Sequence, residues 1–328
     1  MRGWQLDELG DPWEVMNLNE LESPIPGEGE ARITVEAADL NFADILQMQG
    51  TYQVRIDPPF VPGMAAAGVV VETGPGSTLS VGDRVVGSTV PGHGGFAEEA
   101  IVTAETALRV PDGLDLGIAA AANVTYGTSW FALHRRGNIQ PGESVLVLAA
   151  AGGVGSSAVQ MAKAHGCFVI AAAGGAEKVQ VCRDLGADIS IDYNADDVYA
   201  EVMAATDGRG VDVVYDPVGG EYFDIARRLV AWEGRLLVVG FASGTIPSAP
   251  ANHVLVKNYS VVGVHMGGYR GRDNSLVDQC YEEVFAMLAD AKLAPHVSET
   301  VGMADLPDAL LRLSQRKTTG RVMFDPRR

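Results

Sequence analysis

The sequence predicts an α/β protein made of a β-rich module and a doubly wound α/β domain. Three observations favour this fold class. Short apolar stretches separated by Gly and Pro fill residues 1–120. From residue 144 onward, β-branched stretches alternate with helical ones. A glycine-rich corner joins the first such pair in VLVLAAAGGVGSSAVQMAKAHG. A length of 328 residues also fits two domains of roughly 150 residues each.

The first module reads as short strands between turns. ARITVEAADLN, AAAGVVVETGPG, VGDRVVGS and GGFAEEAIVTAETALRVP combine β-branched residues with flanking Gly and Pro. Such strands suit a β-barrel or sandwich. The pattern changes near residue 114, where a helical stretch begins that ends at Gly137.

The second domain alternates strands with helices. Continuous runs such as VLVL and LLVV favour a parallel sheet that is covered on both faces. The predicted strands are 144–150, 167–173, 188–191, 211–216, 235–240 and 259–264. The predicted helices are 156–165, 176–185, 195–206 and 221–231, and 241–258 reads as an irregular link. Two amphipathic helices (275–293 and 304–315) and a last strand, GRVMF, follow, and we expect this tail to return to the first module.

The glycine corner predicts a dinucleotide site. Strand, turn and helix follow in that order, and the helix start offers unpaired N–H groups and a positive dipole end to a pyrophosphate. Read as G-x-G-x-x-G, the three glycine positions hold Ala150, Gly152 and Gly155. The apolar face of the predicted helix carries Val154, Ala158, Met161, Ala162 and His165.

The end of the second predicted strand favours NADPH over NADH. An NAD site places a carboxylate there, about 20 residues after the glycines, whereas this chain has Ala, Ala and Gly at 172–174. Lys178 follows this position closely in the sequence and Tyr193 ends the third predicted strand, so a cation and a phenol are available to bind a 2′-phosphate. Alternatively, Lys178 is a solvated lysine on a helix and Tyr193 is a packing residue. Glu177 also lies nearby, and its negative charge is better explained by its stabilising effect at the N-terminus of the helix.

Other classes of protein lack their signatures here. The net charge of −18 disfavours nucleic acid and anionic membranes as partners, and no apolar run is long enough to span a bilayer. Three scattered cysteines indicate a reduced, cytoplasmic protein. No Cys precedes Cys167 and no C-x-x-C occurs, so no zinc ligand set is predicted. His93, in a Gly-rich turn, reads as structural.

Eight segments together carry a family resemblance: LNFADILQMQGTY, PFVPGMAAAGVVVETG, VGDRVVG, VTYGTSWFAL, AAGGVG, DLGADISIDYN, VVYDPVGG and GRLLVVGFASG. The chain resembles the medium-chain dehydrogenase/reductase superfamily in its zinc-free, zeta-crystallin-like quinone oxidoreductase branch. The resemblance implies a GroES-like catalytic domain at 1–122 with 265–328 and a Rossmann domain at 123–264. It also implies a cytoplasmic homodimer that reduces quinones or activated alkenes with NADPH and without a metal.

The resemblance also implies residue roles. Asn41 and Tyr52 would border the nicotinamide and the substrate as catalytic residues. Alternatively, the Asn41 amide stabilises a turn and the Tyr52 ring packs inside the barrel. The implied cofactor-binding residues are Thr125, Gly152, Gly153, Val154, Gly155, Gly174, Lys178, Tyr193, Gly240, Phe241, Ala242, His265 and Met266. The strand before His265 is the one that pairs across the dimer in the family.

One residue departs from the family pattern. Relatives carry an acidic residue after the PG of PFVPGMAAAG, where this chain has Ala65. The change agrees with a metal-free site and makes the cleft less polar. Two other functions stay open. One is an enone or enoyl-thioester reductase, for which Arg55 and Arg270 are available but form no basic cluster. The other is an NADPH-binding sensor or structural protein with negligible turnover.

Overall fold

The computed structural model describes residues 1–52 and 54–328, and their contacts divide the chain into two compact units. The first unit is 1–123 with 297–328, and the second is 124–296. Residues 265–296 therefore lie with the second unit, whereas the sequence placed them with the first. One reason is a pair of hydrogen bonds that local patterning does not reveal. The Gln160 side chain donates to the Ala294 carbonyl (2.8 Å) and accepts from its N–H (2.8 Å).

Fifteen strands are present in the described residues. They are β1 (Arg2–Leu6), β2 (Met16–Glu20), β3 (Glu30–Asp39), β4 (Ala65–Thr73), β5 (Arg84–Ser88), β6 (Glu99–Thr103), β7 (Leu108–Arg109), β8 (Ser144–Leu148), β9 (Phe168–Ala173), β10 (Ile189–Asp192), β11 (Val211–Asp216), β12 (Val230–Val238), β13 (Ser260–Gly263), β14 (Val297–Val301) and β15 (Arg321–Phe324).

Ten α-helices accompany them in the described residues. They are α1 (Pro12–Val15), α2 (Phe42–Met48), α3 (Leu116–Trp130), α4 (Gly153–Ala164), α5 (Ala176–Asp184), α6 (Val198–Ala205), α7 (Gly220–Leu229), α8 (Ala251–Lys257), α9 (Asn274–Ala289) and α10 (Leu306–Ser314). A π-helical segment, Phe131–Arg136, continues α3, and short 3₁₀ turns cover Met266–Tyr269 and Met303–Asp305. No helix in the described residues has both the length and the apolarity needed to cross a membrane.

The first unit is built on a mainly antiparallel sheet. Its strands run in the order β14-β15-β3-β4-β5-β7, β6 adds to β3, and β1 pairs separately with β2. The predicted return of the chain's end is confirmed for α10 and the last strand. β15 pairs antiparallel with the end of β3, with Met323 opposite Asp39. The apolar core draws on both ends of the chain, from Leu6 and Ile33 to Phe324.

The second unit holds a six-stranded parallel sheet in the order β10-β9-β8-β11-β12-β13. Each of the first five strands is followed by a helix, as the predicted doubly wound topology requires. Every residue of β8 is buried, because a parallel strand between two helix layers has no solvent face. The predicted mixed α/β fold class is thus confirmed.

The segment predicted as an irregular link contains a helix. Within 241–258 the structure forms α8, so the prediction of an irregular link is wrong for 251–257. Leu255 and Val256 of this helix are 79% and 74% exposed, and the helix has no buried residue. Without a buried face, its sequence carries no amphipathic periodicity that would reveal it.

Candidate functional site

The glycine corner lies between the end of β8 and the start of α4. Gly152 is the N-cap of α4 and has an extended backbone. A Cβ on Gly155 would lie 2.2 Å from the Ala149 carbonyl oxygen and 2.8 Å from the Ala150 Cα. Only glycine allows the helix to approach the strand so closely. The first turn of α4, at Gly153, Val154 and Gly155, therefore begins directly at the carboxyl end of β8, where its N–H groups face outward.

The turn before the helix has a left-handed residue that is not glycine. Ala149 has φ +48° and its carbonyl accepts the N–H of Gly152 at 2.9 Å. The sequence comparison with G-x-G-x-x-G assigned the missing glycine to Ala150. The left-handed backbone lies one residue before that position, at Ala149, and Ala150 is not among the positive-φ residues.

A buried hydrogen-bond network fixes α4 against α3. The Ser157 hydroxyl lies 3.0 Å from the carbonyl of Thr125, which is itself buried. The Ser157 hydroxyl also meets that of Ser129 at 2.8 Å, and Ser129 meets the Tyr215 hydroxyl at 3.0 Å. Thr125 thus lies beside the first turns of α4, as its predicted role near a cofactor requires. Ser157 was not found from the sequence, because its partners are distant along the chain.

The turn after β9 brings Gly174 and Tyr193 together. A Cβ on Gly174 would lie 2.6 Å from Cε2 of the Tyr193 ring, which also packs against the Tyr222 ring (centroids 5.0 Å apart). Lys178 lies in the first turn of α5, which starts just after this turn. Sequence reasoning missed Asp192 at the end of β10. Its Oδ1 accepts the N–H of Gly175 (2.8 Å) and of Asn194 (3.0 Å).

The loops after β11 and β12 are tied to each other. The Ala242 N–H donates to the Pro217 carbonyl at 3.0 Å, and the Gly240 N–H approaches the Asp216 carbonyl at 3.4 Å. Oδ1 of the buried Asp216 accepts two backbone N–H groups of the following turn. Burial raises the pKa of this carboxyl, and those two hydrogen bonds oppose the shift. Phe241 stands at the same sheet edge, 41% exposed.

His265 and Met266 follow β13. His265 is exposed and precedes the 3₁₀ turn that Met266 begins. The Met266 methyl group lies 3.3 Å from the position of a Cβ on Gly127, in α3. Met266 therefore lies against the helix that carries Thr125. The predicted cofactor residues of the second unit thus fall at the ends of β8, β9, β10, β12 and β13, or on the helices beside them.

In the first unit, Asn41 is held by a group of charged side chains. Asp44, fully buried on α2, accepts the N–H of Asn41 at 2.8 Å and the N–H of Met64 at 2.8 Å. Burial raises the pKa of Asp44 to about 7, against the lowering effect of those N–H groups. Arg321 of β15 donates to the Asn41 side-chain oxygen at 3.0 Å and forms an ion pair with buried Asp39.

Tyr52 lies in the loop after α2, next to residue 53, which is outside the described residues. Its side chain is half-buried and its N–H donates to the Leu46 carbonyl at 3.1 Å. Ala65, at the start of β4, is 3% exposed. In the parts of the chain that the structure describes, no three His, Cys, Asp or Glu side chains group as a metal site.

These features have distinct chemical capacities. The start of α4 offers backbone donors to a phosphate. The turn after β9 offers the Tyr193 phenol packed over Gly174, and Lys178 follows in the first turn of α5. Asn41 offers a neutral amide. Each is an element of binding or orientation, and none is a strong nucleophile.

Two family models match the chain. Zinc-binding dehydrogenase matches residues 153–290, and Alcohol dehydrogenase GroES-like domain matches residues 27–112. Quinone oxidoreductase-like protein 2 from Bos taurus is 42% identical over 297 residues, which cover 90% of this chain and 84% of that protein.

Two solved structures share the whole fold. The quinone oxidoreductase of Escherichia coli complexed with NADPH has a TM-score of 0.91 at 27% identity, covering 99% of this chain and 100% of that one. The quinone oxidoreductase from Thermus thermophilus, also described with NADPH, has a TM-score of 0.83 at 34% identity and the same coverage. The GroES-like and Rossmann assignments are thereby confirmed, and the chain belongs to the medium-chain dehydrogenase/reductase superfamily, in its quinone oxidoreductase branch.

Proposed function

We propose that this oxidoreductase uses NADPH to reduce a quinone or an activated alkene without a metal. The observation that carries the proposal is the glycine corner, where Gly155 leaves no room for a side chain between α4 and β8. That close approach presents the first-turn N–H groups to a diphosphate, which the helix dipole also favours. NADPH, once bound, supplies the hydride.

The chain's own residues bind and orient. Gly152, Gly153, Val154 and Gly155 hold the diphosphate in this proposal. Gly174 lets the Tyr193 ring pack against the turn, where Lys178 and Tyr193 take the 2′-phosphate. One carboxylate oxygen of Asp192 accepts two backbone N–H groups, which reduces the repulsion between this carboxylate and a phosphate. Gly240, Phe241, Ala242, Thr125, His265 and Met266 complete the cofactor residues.

Asn41 and Tyr52 act on the acceptor. Hydride enters at an electron-poor carbon, the electron pair moves onto the conjugated oxygen, and that oxygen takes a proton from Tyr52 or water. A donor placed at the developing charge lowers the barrier. The metal-free part of the proposal is supported by the lack of grouped ligands in the described residues.

We also propose a cytoplasmic homodimer. β13 forms one edge of the six-stranded sheet, and its residues are exposed or half-buried, so its backbone is available for a second copy. Cys167, Cys182 and Cys280 are buried and unpaired with each other, which suits a reducing compartment. Sedimentation velocity tests the dimer.

The test of function follows NADPH absorbance with EDTA present. The acceptors are 1,4-benzoquinone, 9,10-phenanthrenequinone, an α,β-unsaturated ketone and crotonyl-CoA. Oxidation with the quinones, alone or together with the ketone, supports the proposal. Oxidation confined to the ketone or to crotonyl-CoA would instead identify an enone or enoyl-thioester reductase. Tight NADPH binding with no turnover would favour a sensor or structural role, and loss of activity in EDTA would contradict metal-free chemistry.

A further inference from the structure

Asn41 depends on a residue from the far end of the chain. Asn41 lies just after β3, and Arg321 begins β15, which pairs with the end of β3. The N–H of Leu40 donates to the Val322 carbonyl at 3.0 Å and locks the two segments together. Arg321 is 6% exposed and Asp39 1%, so their ion pair lies in the interior.

The contacts of Arg321 fix which way the Asn41 amide points, together with the capping box of α2, in which the Asn41 side chain accepts the backbone N–H of Asp44. Nη2 of Arg321 donates to Oδ2 of Asp39 and, at 3.0 Å, to Oδ1 of Asn41. A guanidinium has donors and no acceptor, so the Asn41 atom that faces it must be the oxygen. The amide nitrogen is then on the other side, where it makes a long contact of 3.4 Å with the Asp39 carbonyl. Arg321 thus occupies the oxygen of Asn41 and leaves N–H hydrogens to offer.

The ion pair between Arg321 and Asp39 leaves some of its own hydrogen-bonding atoms without partners. Nε of Arg321 and Oδ1 of Asp39 are buried and have no hydrogen-bond partner among the described residues. Each buried unpaired polar atom costs about 1–3 kcal/mol. A buried ion pair is weak evidence for stability even when fully satisfied. The cost therefore points to a role for the pair beyond holding β3 against β15.

We propose that Arg321 is a positioning residue that fixes Asn41 as a hydrogen-bond donor. Asn41 then presents its NH₂ group to an acceptor atom, and a flipped amide that would present its oxygen is excluded. This selects acceptors with a carbonyl oxygen on the reacting conjugated system, where negative charge collects after hydride arrival. Asp39 holds Arg321 in place, and Asp44 holds the backbone of Asn41. The inference rests on the proposed function, because it assigns Asn41 a role at that acceptor.

The test is a mutant cycle that asks whether Arg321 acts through Asn41. One arm replaces Arg321→Gln together with Asp39→Asn, so that no buried charge is left alone. The second arm is Asn41→Ala, and the third combines both. We expect Asn41→Ala to lower kcat about 100-fold, as for removal of one oxyanion donor. We expect the paired change to lower kcat about 10-fold with an unchanged KM for NADPH, and to add no further loss in the Asn41→Ala background.

Two further variants separate positioning from folding. Arg32→Gln with Glu99→Gln removes the ion pair between β3 and β6 (2.9 Å), together with the pair that Arg32 also makes with Glu72 (2.8 Å), and should leave kcat unchanged. Arg321→Lys keeps the charge beside Asp39 and still offers only donors to Asn41, so it should keep most of kcat. Whatever loss it shows should not add to that of Asn41→Ala, which provides the test if the paired variant does not fold. Additive losses in a protein that turns over would overturn the inference alone. A wild-type protein with no turnover on any acceptor would overturn the proposed function and the inference with it.

Discussion

Replacing Gly155 with alanine tests the close approach of α4 to β8. The added Cβ would lie 2.2 Å from the Ala149 carbonyl oxygen and 2.8 Å from the Ala150 Cα. An ordinary carbon–oxygen contact is roughly 1 Å longer, and both obstacles are backbone atoms that no rotamer change can move. Overpacking in a core costs about 1–3 kcal/mol, and we expect this variant at or above the upper end.

Thermal unfolding and calorimetric NADPH titration together measure this effect. A loss of about 3 kcal/mol lowers Tm by roughly 6 °C or more for a unit of this size. NADPH affinity should also fall, because relieving the clash moves the first turn of α4 away from β8. The matched control is Gly152→Ala, whose Cβ would lie 3.3 Å from the same oxygen. That variant should keep its Tm and lose affinity alone.

The two variants must differ for the reasoning to hold. A Gly155→Ala protein with the Tm and NADPH affinity of the wild type would show that the corner tolerates a side chain. An equal loss of Tm in both variants would show that the specific contact with the Ala149 carbonyl is not the cause.

Three further changes test other parts of the molecule. Gly174→Ala places a Cβ 2.6 Å from the Tyr193 ring and should displace it, weakening NADPH about tenfold while NADH changes little, measured by titration of both. Ala149→Gly removes strain at φ +48° and should raise the free energy of unfolding by about 1 kcal/mol in urea. Asp44→Asn should change the pH dependence of stability. Because burial raises the pKa of Asp44 from 3.8 to about 7, its contribution is largest in acid and is lost as the pH rises through 7. From about pH 5 to pH 8, the wild type should lose about 2.5 kcal/mol relative to the variant.

Each of these has a result that counts against it. An equal loss of NADPH and NADH in Gly174→Ala would place Tyr193 away from the 2′-phosphate. Ala150→Gly is the control for Ala149→Gly and should destabilise, since Ala150 has no positive φ to relieve. Parallel stability curves for wild type and Asp44→Asn would mean that Asp44 stays ionised in the folded protein.

The sequence predicted best what depends on local pattern. A short continuous apolar run such as Val145–Leu148 favours a strand of a covered parallel sheet, and the glycines mark the corner after it. α8 was missed because Leu255 and Val256 face solvent and only Val254 packs against the core, which leaves no apolar periodicity. The motif placed Ala150 at the first glycine position but gave no sign of the left-handed backbone at Ala149, because a motif gives spacing and a backbone angle arises from the fold.

The candidate site was predicted in part, for a related reason. Gly174 and Tyr193 come from neighbouring parallel strands, so their meeting follows from the strand order. Arg321 carries no local signal, since its partners lie far back along the chain. The placement of 265–296 failed similarly, because the bonds between Gln160 and Ala294 form only in the folded unit.

The division of the chain has a consequence for its synthesis. Residues 124–296 are contiguous, so the whole of the second unit is synthesised before residues 297–328, which belong to the first unit. The core of the first unit cannot be completed until Val301, Leu306 and Phe324 have been synthesised. Until they emerge, the end of β3 has an open edge where β15 will pair. Such an open edge can pair with strands from other chains. The nascent protein is therefore most prone to aggregate when most of it has already been translated. A premature stop codon upstream of β15 would leave the edge permanently unpaired.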